Sequence, residues 1–330
     1  MTTLTTGRGR RRILPPPVTG QELVLIGVIA ALWLMLTLVT PSFGTAASLQ
    51  PLLVRLAPVA VIAVGMTLVI VSGGIDISVA ASLMVCSVVT AKLLVGTGLP
   101  MLPALLVSLG LGGLLGAING LLIVYGRVHA IIITFGTANL FQFIGLRIFD
   151  SQTVNNIPAA FAFLGRGEAG RTLGVPHSFL LMLLIVAAAW WYIRHMPSGR
   201  HFYAIGGDQR SARLAGIPVG RRIMSAYVLT GVLVGLAACM TLAGGTSTLD
   251  QNVGRGQELA VIAAVVIGGT SITGGRGSVL GSVLGALLVQ TVRSGVTQLG
   301  WPSQLANLFV GLCIVIAVGT DLMRERRRAR

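Results

Sequence analysis

The sequence has little charge, and almost none of that charge lies within its apolar segments. Only 10% of its 330 residues are charged, whereas 54% are hydrophobic, and the mean hydropathy is +0.88. Lysine occurs once, at Lys92, and Leu93 follows it. The chain therefore cannot contain the Gly-x-x-x-x-Gly-Lys-Ser/Thr loop with which many ATPases bind phosphate. These two absences exclude an ordinary water-soluble domain and that class of ATPase.

The residues that usually carry catalysis or bind metals are also scarce. Cys86, Cys239 and Cys313 each lie inside an apolar run, with no pairing or metal-ligand spacing. The acidic residues at membrane level, Asp76 and Glu258, fall at the ends of apolar runs, whereas a proton relay needs titratable groups at depth. No nucleophile–base pair stands out. The sequence predicts a chain that is not an enzyme and holds no metal or cofactor.

What the chain does have is a succession of long apolar runs separated by short Gly-, Pro- and Ser-rich breaks. About 20 apolar residues suffice to cross a bilayer as a helix, and its 44 glycines suit helices that pack closely through small residues. The pattern predicts an all-α polytopic membrane protein with about ten transmembrane helices. The predicted spans are 22–40, 52–72, 78–96, 101–125, 129–149, 177–194, 223–244, 258–272, 279–297 and 304–320.

The positive charge is unevenly distributed along the chain. The net charge is +15, and most Lys and Arg residues lie at the two chain ends and in the loop from Arg194 to Arg222. Because positive loops stay in the cytoplasm, we expect both termini on that side. The bilayer explains this charge, and nucleic acid is not an expected partner. The predicted organisation is a basic tail at 1–21, one transmembrane domain at 22–320, and a basic tail at 321–330.

The cytoplasmic loop at 195–222 is predicted to contain a short helix. Asp208 can accept a backbone hydrogen bond as its N-cap, and Gly216 suits a left-handed residue just past its end. Pro218 then blocks continuation of the helix. The predicted apolar patch comprises Ala212, Leu214, Ala215 and Ile217, with Arg210 and Arg213 on the polar side. Such a helix is either a capped surface helix or a docking element for a soluble partner.

Two short pieces of sequence recur. Ala60-Val61-Ile62-Ala63 reappears as Ala260-Val261-Ile262-Ala263, and Gly73-Gly74 reappears as Gly274-Gly275. Each pair is followed by a break and another small-residue span. The recurrence is either an internal repeat running in one direction or a coincidence among common membrane residues.

Four segments resemble the permease subunit of bacterial ABC importers for monosaccharides, the family of the ribose, xylose, arabinose and galactose permeases. The segments are Val64–Ile70, Gly73–Val79, Gly116–Gly120 and Glu258–Ser271, the last continuing to Gly274–Ser278. The resemblance implies a multi-pass permease of the bacterial inner membrane. It implies three partners: an ATPase subunit that binds the ATP, a second permease copy or paralogue, and a periplasmic sugar-binding protein.

The same resemblance implies that the predicted loop helix is the coupling helix, which sits in a cleft of the ATPase subunit. The residues expected to take part in this coupling are Gly207, Asp208, Arg210, Ala212, Leu214, Ala215 and Gly216.

A sugar path should offer amides and hydroxyls rather than fixed charge. Asn119, Thr134, Asn139 and Gln142 supply such groups, and Asn139 and Gln142 share a helix face. The alternative for these residues is hydrogen bonding between packed helices.

Asp76 and Glu258 are candidates for a gate or for a contact with the ATPase, or else they have a structural role such as capping nearby helices. The rival function is a self-sufficient secondary transporter or channel for a small polar solute. The sequence does not decide whether the substrate is a ribose-like, a rhamnose-like or an autoinducer-2-like sugar.

Overall fold

The computed structural model describes residues 20–165, 167–245 and 247–328, with side chains described throughout except at 317, 318 and 320–328. The predicted tail at 1–21 lies almost entirely outside these residues. The described chain is helical apart from one two-stranded hairpin, β1 (Arg171–Thr172) with β2 (Val175–Pro176), and a 3-10 helix at Ala159–Leu164. The α-helices are α1 (Gly20–Val39), α2 (Ala46–Val71), α3 (Val79–Gly96), α4 (Met101–Gly126), α5 (Ala130–Phe149), α6 (His177–His195), α7 (Pro197–Gly207), α8 (Gln209–Leu214), α9 (Val219–Gly244), α10 (Gln257–Ile267), α11 (Val279–Gln298) and α12 (Ser303–Arg328).

Each predicted apolar span corresponds to one of these helices, but not all of the helices are long enough to cross a membrane. Eight helices in the described residues have the length and composition of a membrane span, namely α1 to α6, α9 and α11. The helix α10 has only 11 residues. The prediction of a helical polytopic protein is confirmed, and the span predicted at 258–272 is too long.

The physical reason for the early end of α10 lies in its glycines. Gly269 has a left-handed φ of 92°, which stops an α-helix. A Cβ on Gly268 would overlap the backbone of Gly281, so the chain turns away where α10 meets α11 closely. The apolar pattern continues through Ile272, but the backbone does not.

The centre of the molecule is α2. In its most apolar stretch of 18 residues, 89% of the residues are buried. Its neighbours are α6, α9, α10 and α11. By contrast, only 22% of the residues are buried in the corresponding stretches of α1, α5 and α6, so most of their side chains face outward. A predominantly apolar helix surrounded by others is the expected core element of a membrane bundle.

The helix pair with the most extensive contact is α4 with α9, which pack antiparallel through small residues. Gly112, Gly116 and Gly120 stand four residues apart on α4, so they line one face of the helix. A Cβ on Gly112 or Gly116 would overlap backbone atoms of α9, including those of Gly231. Ser108 Oγ donates to the carbonyl oxygen of Gly235 at 2.8 Å. This is the small-xxx-small packing expected from a glycine-rich membrane sequence.

The helices run between two opposite faces of the molecule, called here the loop face and the far face. The loop face carries α7 and α8 and the ends of α2 and α4. The far face carries 150–165 and 247–256, which are joined by backbone hydrogen bonds between Val154 and Leu249. Both α2 and α10 run toward the loop face, and α3 and α11 run away from it.

The recurring sequence pieces occupy corresponding places in the fold. The helix α3 begins directly after Ser78, and α11 begins directly after Ser278. Ser78 Oγ donates to the carboxylate of Asp76, and Ser278 Oγ donates to the carboxylate of Glu22. Each break therefore leads into a helix whose first turn has a buried carboxylate beside it, which suits the positive end of the helix dipole.

Candidate functional site

The non-helical segment between α2 and α3 contains a buried carboxylate that bonds to Ser78, the N-cap residue of the next helix. Asp76 is 3% exposed, and its Oδ1 accepts hydrogen bonds from Ser78 N at 2.9 Å and Ser78 Oγ at 2.7 Å. A buried carboxylate is tolerated when its oxygens are bonded and a helix N-terminus lies beside it. The geometry agrees with the capping alternative for Asp76.

Asn119 of α4 extends this cap into a network across three helices. Its Nδ2 donates to Ser78 Oγ at 2.7 Å, and its Oδ1 accepts from Thr137 Oγ1 of α5 at 2.6 Å. Thr134 Oγ1 donates to the carbonyl oxygen of Ile75 at 3.1 Å. Asp76, Asn119 and Thr134 are therefore buried, and their hydrogen bonds join the start of α3 to α4 and α5.

The other three candidate path residues lie together at a cavity of about 460 Å³ in the far half of the molecule. Asn139 and Gln142 reach it from α5, and Glu258 reaches it from the first turn of α10. Asn139 and Gln142 are exposed. Asn139 Nδ2 donates to the carbonyl oxygen of Phe135 on its own helix at 2.8 Å, which leaves its Oδ1 free to accept from a ligand. The cavity offers neutral amides beside the exposed face of α5, and Arg255 and Glu258 also line it.

Glu258 has a charged neighbour of its own. It is half-buried, and its carboxylate interacts electrostatically with Arg293 of α11. At the start of α10 this carboxylate also faces the positive end of a helix dipole. Its charge is therefore partly balanced within the chain, so the cavity does not present an isolated anion.

The loop helix has the predicted ends. Asp208 Oδ1 accepts from Arg210 N at 2.8 Å, and Asp208 also accepts from Ser211 Oγ. These hydrogen bonds, the one from Ser211 first, lower the pKa of the Asp208 carboxyl below its usual value. Gly216 follows the helix with a left-handed φ of 79°. The cap and the glycine end are confirmed, and they enclose α8.

The apolar patch predicted on this helix is divided between two sides. Ala212 is buried and packs with Ile205 of α7 and Val219 of α9. Leu214 is 84% exposed, and Arg210 and Ala215 are exposed as well. The prediction of one continuous patch is wrong, because Ala212 faces the protein and Leu214 faces away from it.

The helix α7, which precedes α8, was not anticipated, and it contacts the non-helical segments that precede α3 and α11. Gly206 lies so close to the α2–α3 break that a Cβ would overlap the carbonyl oxygen of Val71, and it would overlap the amide nitrogen of Gly275 as well. Gly275 N in turn donates to Val71 O at 2.9 Å. Tyr203 OH donates to the carbonyl oxygen of Gly277 at 3.0 Å. A single helix therefore touches the breaks that precede α3 and α11.

Sequence reasoning missed several residues of these arrangements. Ser78, Thr137, Tyr203 and Gly206 all make contacts to residues far away in the chain, and such contacts leave no local pattern. One signal was available, since Pro197 at the first position of α7 favours a helix start. Ser78 also stands in the Gly-Gly-Ile-Asp-Ile-Ser segment that carries the family resemblance.

Comparison with known proteins places this architecture in a family. The model of a family described as "Branched-chain amino acid transport system / permease component" matches residues 48–318. The ribose import permease protein RbsC of Escherichia coli is 35% identical over 304 residues, which cover 92% of each chain. The fructose import permease protein FrcC of Rhizobium meliloti is 32% identical, covering 84% of this chain and 79% of its own. No solved structure matches the chain.

A third relative is the autoinducer 2 import system permease protein LsrD of Escherichia coli, which is 32% identical over 82% of this chain and 83% of its own. This chain is accordingly a multi-pass protein of the bacterial inner membrane. It is the non-catalytic translocation subunit of an ABC transporter, and ATP hydrolysis belongs to a separate subunit. The match over most of its length shows that the chain belongs to the branched-chain amino acid transport system permease component family.

Proposed function

We propose that this chain is the membrane subunit of an ATP-driven importer for a monosaccharide or a similar small sugar. The observation that carries the proposal is its similarity, over most of its length, to permeases named for ribose, fructose and autoinducer 2. The neutral amides at the far-half cavity suit a ligand rich in hydroxyl groups. A separate sugar-binding protein delivers the solute, and the solute crosses by alternating access.

The proposed topology has ten membrane passes with both chain ends in the cytoplasm, and one of these passes is made by the short helix α10 together with the non-helical segment that follows it. The loop face becomes the cytoplasmic side because it carries the arginines of α7, α8 and the start of α9. Glu22 at the start of α1 bonds to Ser278 of the same face, which supports a cytoplasmic N-terminus. In this arrangement 1–21 and 321–330 are basic cytoplasmic tails, 22–320 is the transmembrane domain, and 195–222 is the coupling loop.

The proposed path runs between two permease copies, or between this chain and a paralogue. Its walls are the α5 helices, since α5 is mostly exposed and its residues Asn139 and Gln142 open onto the far-half cavity. A second copy placed on this face would turn an open cavity into an enclosed route. Glu258 would then stand at the outer end of the path, while Asp76, Asn119 and Thr134 keep the helices behind it in register.

We propose that movement of the ATPase subunit is transmitted through α8 and α7 to the non-helical segments that precede α3 and α11. Arg210, Leu214 and Ala215 are exposed and would contact the ATPase cleft. Gly207, Asp208 and Gly216 shape the ends of the helix, and Ala212 anchors it to α7 and α9. Because α7 touches both breaks, movement of α8 would reach the starts of α3 and α11 together.

The test is uptake into proteoliposomes that contain this chain, its ATPase subunit and its binding protein. Labelled ribose, rhamnose, fructose and autoinducer 2 are offered in turn, each with and without the binding protein. We expect ATP-dependent accumulation of one of these sugars, and none when the ATPase carries an inactivating substitution. Accumulation that needs neither the ATPase nor the binding protein would instead establish the rival secondary transporter or channel.

A further inference from the structure

A second cavity, of about 690 Å³, opens at the loop face and has a different character from the one beside α5. It lies between the α2–α3 break, the connection from α4 to α5, the helix α8 and the start of α9. Its polar lining includes Ser72, Arg127, His129, Gln209, Arg213 and Tyr227. The volume is typical of a small-molecule site, and nothing in the sugar path accounts for its charge.

Two arginines face this cavity without a carboxylate to balance them. Within the described part of the chain, neither Arg127 nor Arg213 forms an ion pair. The nearby acidic side chains are engaged elsewhere, since Asp208 accepts from the backbone and side chain of its own helix. Asp76 bonds to Ser78, and its charge also acts on Tyr227. The lining is therefore cationic and open to an anionic ligand.

Two long helices also begin at this cavity. His129 and Ala130 line it at the start of α5, and Val219 and Gly220 line it at the start of α9. Neither helix has a side-chain cap on its first amides. Uncapped N-terminal amides and the positive end of a helix dipole favour a bound anion.

An independent observation comes from Tyr227, which lies on α9 behind the arginines. Its side chain is fully buried, and its hydroxyl group has no hydrogen-bond partner among the described residues. The same residue lines the cavity. A buried hydroxyl group normally has a partner, so an oxygen atom of a ligand in this cavity would supply the missing acceptor.

We propose that this cavity binds a phosphate group, carried by a small phosphorylated molecule or by the headgroup of an anionic lipid. A phosphate presents several acceptor oxygens and up to two negative charges, which match two guanidinium groups, two helix N-termini and one hydroxyl group. A neutral sugar would leave that charge unused. The site is therefore chemically different from the far-half cavity, and the two cavities share no lining residue.

Occupancy of this site would act on the loop that carries α8. Arg213 and Gln209 belong to α8, whereas Arg127 and His129 belong to the α4–α5 connection. A bound phosphate would bridge these two elements and oppose their separation. Binding itself requires no ATPase and no sugar, so this inference can fail or succeed independently of the proposed function.

The test uses the full-length chain in nanodiscs made only of phosphatidylcholine, titrated by calorimetry with inorganic phosphate and with glycerol 3-phosphate. Glycerol serves as the uncharged control. A second arm counts bound phosphatidylglycerol by native mass spectrometry after reconstitution in mixed lipid. Saturable binding in the first arm identifies a soluble ligand, and binding only in the second identifies a lipid headgroup.

The variants Arg127→Gln and Arg213→Gln should each weaken binding roughly tenfold or more, since each removes a charge-assisted hydrogen bond. Tyr227→Phe should weaken binding by a smaller factor. Arg200→Gln is the matched control, because Arg200 is an exposed arginine of the same loop that does not line the cavity. The proposal is overturned if neither arm shows saturable binding, or if Arg127→Gln and Arg213→Gln bind as well as Arg200→Gln.

Discussion

Replacement of Gly206 by alanine tests whether α7 transmits movement from α8 to the non-helical segments that precede α3 and α11. The added Cβ would overlap Val71 O and the amide nitrogen of Gly275, and it would lie 3.0 Å from the carbonyl carbon of Val71. All of these are backbone atoms, so no side-chain rotation can relieve the overlap. To restore ordinary van der Waals contact, α7 must withdraw by more than about 1 Å.

The size of the effect follows from this geometry. Overpacking of this kind costs about 1–3 kcal/mol, and withdrawal also strains the hydrogen bond from Gly275 N to Val71 O, which is 2.9 Å long. The variant should still fold, because the burial of α2 and the packing of α4 on α9 are untouched. Contact between α7 and the breaks should be lost, so ATP hydrolysis should continue while solute uptake falls.

The assay measures solute imported per ATP hydrolysed in proteoliposomes that contain the ATPase subunit and the binding protein. Thermal unfolding of the purified chain is measured in parallel. The structural control is Gly207→Ala, because a Cβ on Gly207 meets nothing within 4 Å, and its thermal stability should equal that of the unmodified chain. A Gly206→Ala variant with unchanged stability and an unchanged transport-to-hydrolysis ratio would refute the role assigned to α7.

Three further predictions concern the helix packing, the proposed path and α8. Gly116→Leu should destabilise the chain by about 1–3 kcal/mol or more, because a Cβ at this position overlaps the backbone of α9. Gly110→Leu should be tolerated, because a Cβ at Gly110 meets nothing within 4 Å. Thermal unfolding in detergent distinguishes the two variants. Asn139→Ala should lower uptake about two- to tenfold, the value of one neutral hydrogen bond, without changing thermal stability; unchanged uptake would remove Asn139 from the path. Asp208→Ala should raise amide exchange in α8 at neutral pH. The folded pKa of Asp208 is lowered, so the stabilisation that its carboxylate gives to α8 is complete above the unfolded pKa and is lost as the pH falls through the folded pKa. Acid titration of the unmodified chain should therefore reproduce this fraying only below about pH 4.

Local features of this fold could be predicted where short-range chemistry decides the structure. The ends of α8 are one example, since Asp208 and Gly216 act on their own backbone and need no distant partner. The apolar runs are another, because a bilayer requires continuous helices with internally satisfied backbone groups.

Features that depend on tertiary contact could not be predicted in the same way. The end of α10 at Ile267 depends on how closely Gly268 approaches Gly281, and the apolar run gives no sign of this approach. Likewise, Asn119 could equally have lined a path or joined helices. Only the positions of Ser78 and Thr137 decide that it joins α4 to α3 and α5.

The internal recurrence lies between these two cases. The repeated Ala-Val-Ile-Ala and Gly-Gly pieces were visible in the sequence, but their spatial relation was not. The structure brings Gly73 and Gly274 together, with Gly206 beside them. Close packing of three backbones explains why glycine occurs at each of these places.

The central claim is that the energy for transport enters this chain from a separate ATPase through α8 and α7. The most direct measurement is solute accumulation in vesicles that contain the purified chain alone, with imposed proton and sodium gradients, compared with vesicles that also contain the ATPase subunit and the binding protein. The account predicts no accumulation by the chain alone under any gradient, and ATP-dependent accumulation in the complete system. Concentration of a solute by the chain alone would contradict it.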